Sequence, residues 1–209
     1  CFLAASTVGC DISVAEIFLP LLTGARLLLR DRTVWLAPAR LARDIVQHGV
    51  SVVQTGPSTW ATVLAECPDF PAVRAAISTA EAISPALAGQ LAHRATQAWN
   101  LYGPTEATVW ATGHRLRADA SGDAARAALQ GSPSAPIGCP IAGTTVRILG
   151  PQGEPLGAGA IGELCLGGIG LARGYRHDDA MTAARFIVHG PARERLYRTG
   201  DLACLSADG

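Results

Sequence analysis

The sequence predicts an α/β fold class, a parallel sheet with flanking helices followed by a β-rich region, and three features carry that expectation. Up to about residue 112, short apolar runs of β-like composition alternate with amphipathic stretches of helical spacing, the pattern of strand-helix-strand units. Residues 113–136 are then dominated by Ala, Ser, Asp, Gly and Pro. From residue 137 onward, short β-like runs are punctuated by glycine-rich turns, which argues a small barrel or a distorted sheet. The expected organisation is therefore a sheet subdomain over 1–112, a surface connection over 113–136 and a β-rich subdomain over 137–209.

In chain order, "AEIFLPLL" places Ile17, Phe18, Leu21 and Leu22 at helical spacing, Gly24 stops that helix, and "ARLLL" reads as a buried strand. "APARLARDIVQHG" reads as an amphipathic helix ended by Gly49, and "VSVVQTG" as a strand ended by Gly56. "PSTWATVLAEC" is a second such helix with Pro57 near its start, where the missing amide hydrogen costs nothing. "VRAAISTA" is a strand, "SPALAGQLAHRA" a helix opened by Ser84 and Pro85, and "TQAWNLYG" a strand running into a loop. Beyond the connection, "TTVRIL", "GELCL" and "RLYRTGDLACL" are the β-like runs.

Composition narrows the function. The chain has 209 residues, 49% of them hydrophobic, enough for a proper core. Its 17 basic and 17 acidic residues cancel, so bulk electrostatics give no basis for nucleic-acid binding. No apolar stretch approaches the roughly 18 residues of a membrane-spanning helix, and the N-terminus lacks a signal-peptide pattern; no membrane partner and a cytoplasmic location are expected. Six cysteines are scattered without a paired or metal-binding spacing, as expected for free thiols in a reducing compartment. The chain opens on Cys1, closes on "DLACLSADG", and all 17 bases are arginine, so it reads as an internal fragment of a longer chain.

Several short strings carry chemistry-bearing groups. "NLYGPTE", Asn100 to Glu106, sits where a parallel strand should end, the side on which open α/β sheets bind ligands. Tyr102 offers a stacking face, Gly103 and Pro104 a tight turn, Thr105 a hydroxyl for a phosphate oxygen, and Glu106 a hard oxygen ligand of the kind Mg²⁺ accepts beside phosphates. Equally, the string is a Gly-Pro turn before a helix, with Thr105 as cap and Glu106 at the positive end of the helix dipole. In "YRTGD", Asp201 could accept the two hydroxyls of a ribose or simply close a turn. Asp11 in "CDISVAEIF" could cap a helix or face a ligand ammonium. "GELCLGGIGLARGY" lacks the spacing and the following helix of a dinucleotide fingerprint, so its glycines read as places of tight turning or close backbone approach.

Together and in order, "CDISVAEIFLPLLTGA", "NLYGPTE", "GELCLGGIGLARGY" and "YRTGD" resemble the core motifs of adenylation domains of non-ribosomal peptide synthetases, in the AMP-forming superfamily that also holds acyl-CoA synthetases and luciferases. The resemblance implies part of the large N-terminal subdomain of an adenylate-forming enzyme. By position it implies that Asp11 binds a substrate α-ammonium, that Thr79, Ala80, Glu81 and Ala82 form the backbone beside adenine, that Asn100 and Tyr102 contact the base, and that Gly103 belongs to the same cofactor-binding loop. It implies Thr105 and Glu106 as the catalytic pair, the latter as Mg²⁺ ligand, and Asp201 as the ribose-binding acid. The implied reaction joins an amino acid carboxylate to ATP, releases pyrophosphate, and passes the acyl group to phosphopantetheine on a carrier domain, with condensation domains as neighbours. Tyr102, Glu106 and Asp201 should then converge around one ATP.

The family's side-chain pocket aligns here with Asp11, Ile12, Ala15, Gln54, Ile77, Thr79, Leu101, Val109 and Trp110. The bulk of Gln54, Ile77, Leu101 and Trp110 implies a small substrate, glycine or alternatively alanine. Cys10 departs from the aromatic residue usual before the pocket acid. The upstream phosphate loop and the C-terminal subdomain with its catalytic lysine do not occur in this sequence, and without any lysine no substitute exists, so the fragment alone is expected not to turn over. The competing readings are an acyl- or aryl-CoA ligase of the same superfamily and a non-catalytic α/β binding module.

Overall fold

A computed structural model of the chain describes residues 1–118 and 134–206. Contacts divide them into two compact units: Cys1–Tyr102 with Gly113–Gly138, and Gly103–Thr112 with Cys139–Gly209.

The first unit holds strands β1 (Phe2–Ala4), β2 (Leu27–Leu29), β3 (Val52–Thr55), β4 (Val73–Thr79), β5 (Ala95–Tyr102) and most of β6 (Thr112–Leu116). They run side by side in the order β2-β1-β3-β4-β5-β6, and the pairs from β2 to β5 are all parallel. The intervening helices are α1 (Ile12–Leu22), α2 (Pro38–His48), α3 (Pro57–Glu66) and α4 (Pro85–Arg94). Their ends follow the sequence signals: Pro at the first turn of α2, α3 and α4, Gly49 in the left-handed region after α2, and the Ser84 hydroxyl accepting from the Leu87 amide before α4. The core gathers Leu3, Leu41, Val53, Trp60, Ile83 and Leu91, all at most 1% exposed. Trp60 meets Phe70 edge-on and donates its indole N–H to the Ile77 carbonyl at 3.0 Å, satisfying the one polar atom it buries.

Three elements of this unit differ from the sequence expectation. β2, read as a buried strand, stands at the end of the strand order with Leu27 and Leu28 half-buried and Leu29 exposed, because it pairs on one side only, with β1. α1 does not bury its apolar row: Phe18, Leu21 and Leu22 are exposed, whereas Ser13, Ala15, Glu16 and Pro20 face inward. The cause is Glu16, whose carboxylate accepts from the amides of Ala5 (3.0 Å) and Ser6 (2.9 Å) and from the Ser6 hydroxyl (2.7 Å), fixing the helix rotation. The segment read as a surface connection from 113 begins with a strand, β6, whose Leu116 is buried, and Ala135 is packed in the core; its residues 119–133 lie outside the described residues. The strand, "TGHRL", reads as polar because two of its five residues carry an imidazole and a guanidinium; His114 is half-buried and Arg115 exposed.

The second unit contains β7 (Cys139–Pro140), β8 (Thr144–Leu149), β9 (Gly162–Gly168), β10 (Phe186–His189), β11 (Glu194–Ala203) and the short helix α5 (Asp179–Arg185). Of the two forms the sequence allows, the described residues form an antiparallel sheet in the order β10-β11-β9-β8. Its core includes Leu149, Cys165 and Leu196. The glycines of "GELCLGGIG" do permit close approach: Gly168 has φ +111, and a Cβ there would stand 2.0 Å from the Gly143 carbonyl oxygen.

All six cysteines are free thiols. Cys165 is fully buried, and burial, reinforced by the nearby Glu163 carboxylate, pushes its thiol up to about 11. A thiol held protonated and out of water is a poor nucleophile. Alkylation of the folded protein, followed by peptide mass spectrometry, is therefore expected to leave Cys165 unmodified until denaturant is added.

Candidate active site

In the first unit the candidate residues collect at the carboxyl ends of the parallel strands. Cross-strand register pairs Gln54 with Ile77, Ser78 with Asn100, and Thr79 with Leu101. Because side chains alternate faces, Gln54, Ile77, Thr79 and Leu101 share one face of the sheet, while Ser78, Asn100 and Tyr102 share the other. Of the residues aligned with a side-chain pocket, the four on strands, Gln54, Ile77, Thr79 and Leu101, are thus separated by the pleat from Asn100 and Tyr102, aligned with a base. Asp11, Ile12 and Ala15 sit in the first turns of α1, which Glu16 ties to the carboxyl end of β1.

Asp11 occupies the N-cap position of α1, yet its side chain accepts no capping bond from the helix; the Cys10 thiol approaches its carboxylate at 3.9 Å. Of the two readings open in the sequence, capping by the side chain is not the one seen. Gln54 is 1% exposed, and neither its amide oxygen nor its amide nitrogen finds a partner among the described residues; the Ser78 hydroxyl, fully buried, is in the same position. Each such group costs about 1–3 kcal/mol unless something satisfies it, and the two lie on opposite faces of the sheet, Gln54 on the face of Ile77 and Thr79 and Ser78 on that of Asn100. Asn100 is buried and donates one amide hydrogen to the Pro136 carbonyl at 2.9 Å, which locks the orientation of its side chain.

The segment Thr79–Ala82 leaves β4 through Ala80 at φ +72, a left-handed conformation that costs a non-glycine residue about 1 kcal/mol or more. Glu81 turns away to accept the Ser58 hydroxyl, and lies so close to Gly56 that a Cβ on the latter would stand 2.9 Å from Glu81 Oε1. Its side chain is thereby engaged at the start of α3.

In the second unit, Gly103 is dictated by space: an added Cβ would lie 2.6 Å from the Val109 carbonyl oxygen and 2.7 Å from the Ala111 amide nitrogen. Thr105, Glu106 and Ala107 form a single 3₁₀ turn, with Pro104 at the cap position, so neither the longer helix nor the Thr105 cap allowed by the sequence forms. Thr108 and Val109 follow with φ +61 and +63, and Trp110 keeps a buried indole nitrogen without a partner among the described residues.

Glu106 is held by residues that sequence reasoning passed over. Its Oε1 accepts the Tyr175 hydroxyl at 2.5 Å, and the Tyr197 hydroxyl lies 3.4 Å from that of Tyr175. Burial pushes the Glu106 carboxyl up, but the Tyr175 and Tyr197 hydrogen bonds and the charge of Arg185 outweigh it and hold the group below the usual carboxylate range. Burial first, then the Glu106 hydrogen bond, pushes Tyr175 up, so the phenol stays a donor. Both tyrosines end or open strings already singled out, "GLARGY" and "YRTGD", but nothing local marks them as partners of a residue far away in the chain.

Asp201 lies in an irregularity of β11, where pairing with β9 shifts register between Arg198 and Leu202 and Gly200 takes φ +83. Glu163, also unassigned from sequence, organises this bulge: it accepts from Arg198 Nε at 2.9 Å, from the second Arg198 nitrogen at 2.5 Å and from the Gly200 amide at 3.2 Å. The Thr199 hydroxyl donates to the Leu164 carbonyl and accepts the Asp201 amide. Asp201 itself is exposed, on a backbone fixed from three sides.

Among the described residues no three His, Cys, Asp or Glu side chains are arranged to cage a metal ion. A single ionised carboxylate such as Glu106 fits Mg²⁺ bound mainly through substrate phosphates, the usual arrangement for this hard cation.

Residues 1–176 match the family model of AMP-binding enzymes. The chain belongs to the AMP-binding enzyme family. This family member is 36% identical, over 99% of its length, to a dimodular nonribosomal peptide synthase of Bacillus subtilis, of which it spans 8%. It superposes at TM-score 0.87 and 32% identity on a four-domain nonribosomal peptide synthetase solved with AMP and glycine, over 100% of the AMP-binding chain and 15% of that structure. The adenylation domain AlmE of Vibrio cholerae, solved with glycyl-adenosine-5'-phosphate, matches at TM-score 0.84 and 29% identity, over 99% of the chain and 38% of that structure. No helix among the described residues is long and apolar enough to cross a membrane.

Proposed function

We propose that this chain supplies the amino acid pocket and nucleotide contacts of an adenylating ligase in non-ribosomal peptide synthesis. The observation that carries the reading is the cluster at the strand ends: Gln54, buried with both amide atoms unpartnered, on the same sheet face as Ile77, Thr79 and Leu101. A polar end in an otherwise filled pocket suits a small amino acid better than a long apolar one. Asp11 binds the α-ammonium, and Ile12, Ala15, Val109 and Trp110 complete the lining. The preferred substrate is glycine, with alanine next, a choice supported by the glycine and glycyl adenylate in the two structural neighbours.

ATP is the second substrate. Tyr102 stacks on adenine, Asn100 and Gly103 contact its edge, the backbone of Thr79, Ala80, Glu81 and Ala82 lies beside it, and Asp201 takes the ribose hydroxyls. Thr105 contacts the phosphates and Glu106 holds Mg²⁺, which when bound neutralises phosphate charge. A substrate carboxylate oxygen attacks the α-phosphorus, the bond to pyrophosphate breaks, and the aminoacyl adenylate remains. A carrier-domain phosphopantetheine thiolate then attacks the acyl carbon and AMP leaves. With so little covalent chemistry for the protein to perform, alignment and charge neutralisation carry the rate.

Amino-acid-dependent ATP–pyrophosphate exchange by the full-length protein tests this. Glycine is expected to give the highest kcat/KM, and Asp11→Ala to abolish the preference for an α-amino acid. Preference for a large side chain would overturn the glycine assignment, exchange driven by fatty or aryl acids would favour a CoA ligase, and no nucleotide binding would favour a non-catalytic module.

A further inference from the structure

The Tyr175 phenol is fixed more firmly than packing alone requires. Its amide donates to the Thr182 hydroxyl at 2.8 Å, and its ring meets Phe186 edge-on at 5.8 Å. Phe186 packs in turn on Tyr197 at 5.0 Å, and the Arg195 guanidinium lies 4.6 Å over the Phe186 ring. The same Arg195 donates to the carbonyls of Ala172 and Arg173, each at 2.8 Å, pinning the strap that leads into Tyr175. That strap is also joined to the Glu106 turn, through the Ala172 amide on the Glu106 carbonyl (2.8 Å) and the Thr108 hydroxyl on the Gly170 carbonyl (2.6 Å). The hydroxyl at the end of this assembly is aimed at one carboxylate oxygen of Glu106, at a separation typical of a charge-assisted O–H···O⁻ bond.

We propose that Tyr175, backed by Tyr197, is the positioning residue that orients the Glu106 carboxylate toward a divalent cation at the nucleotide phosphates. The inference rests on the proposed role of Glu106 as the cation ligand. A carboxylate on a single 3₁₀ turn can rotate about its side-chain bonds; one oxygen tied to a rigid phenol cannot, and the entropy of ordering is met before the cation arrives.

The test uses the full-length protein with Mn²⁺ as probe. Mn²⁺ is titrated in the presence of a non-hydrolysable ATP analogue and free ion is followed by electron paramagnetic resonance, beside thermal melting. Tyr175→Phe removes one oxygen and keeps the ring on Phe186; it is expected to weaken Mn²⁺ binding about tenfold, within the range for loss of an outer-shell partner. Tyr197→Phe should weaken it less, in the same direction, and carries the test by itself if Tyr175→Phe does not fold. Glu106→Gln should weaken binding more than either. If Glu106→Gln weakens binding and neither tyrosine variant does, the positioning role is overturned and the ligand role of Glu106 stands. If Glu106→Gln leaves Mn²⁺ affinity unchanged, the ligand role itself is lost. A lowered melting temperature with unchanged Mn²⁺ affinity would make Tyr175 purely structural and overturn the proposal.

Discussion

Replacing Glu106 with glutamine in the full-length protein is expected to lower ATP–pyrophosphate exchange by about two to three orders of magnitude, the cost typical of removing one preorganised electrostatic group from the reacting centre. Glutamine keeps the shape, and its carbonyl oxygen can still accept the Tyr175 hydroxyl that now reaches Oε1. What it loses is the negative charge, which burial opposes and the two tyrosines sustain. The variant should therefore fold like the native protein, bind nucleotide, and fail where the cation must be held. Glu106→Asp retains the charge but sits one methylene short of the phenol, so its loss should be intermediate. Exchange by Glu106→Gln within about threefold of native at saturating Mg²⁺ would leave the carboxylate without the role assigned to it.

The parts of the fold legible in the sequence are those specified locally. Ser84 and Pro85 mark the start of α4, Gly49 marks the end of α2, and the apolar runs of β3, β4 and β5 are long enough to be read without their neighbours. β1 has three residues and β10 four; their pairing partners, not their composition, make them strands. α1 shows the limit from the other side. Its apolar periodicity is genuine, but the hydrogen bonds of a single buried Glu16 set the rotation, and the apolar row is left facing out.

The same division runs through the site. Gly103 reads as a turn glycine, and the structure gives a further reason, since no Cβ fits between it and Val109. Glu106 and Asp201 announce themselves by residue type in short motifs. Tyr175, Tyr197 and Glu163 do not, because each works through a partner 35 or more residues distant, or through another partner's partner. The pleat that separates Gln54 and Thr79 from Asn100 and Tyr102 is implicit in period-two alternation, but only cross-strand register sets Gln54, Ile77, Thr79 and Leu101 on one sheet face.

Replacing Glu16 with alanine is expected to destabilise the first unit strongly. The side chain is fully buried, and Oε2 accepts both the Ala5 and Ser6 amides while Oε1 accepts the Ser6 hydroxyl. Alanine strands those donors beside a cavity; with about 1–3 kcal/mol for each unsatisfied buried group, a loss of about 3 kcal/mol or more follows. Glu16→Gln separates hydrogen bonding from charge. The glutamine oxygen can accept both amides, its nitrogen can donate to the Ser6 oxygen, and the loss should fall to about 1 kcal/mol. Charge enters through pH. Burial pushes the Glu16 carboxyl up against the three hydrogen bonds that lower it, so the folded state holds this proton more tightly than the unfolded chain does. A group raised in this way stabilises fully below its unfolded value and loses that contribution as pH rises through the folded one. The stability of the native protein relative to Glu16→Gln should accordingly be greater near pH 4 than near neutrality. Urea denaturation at both pH values measures the difference; a gap that narrowed on acidification would mean that the carboxylate, not the carboxylic acid, is the form this pocket favours.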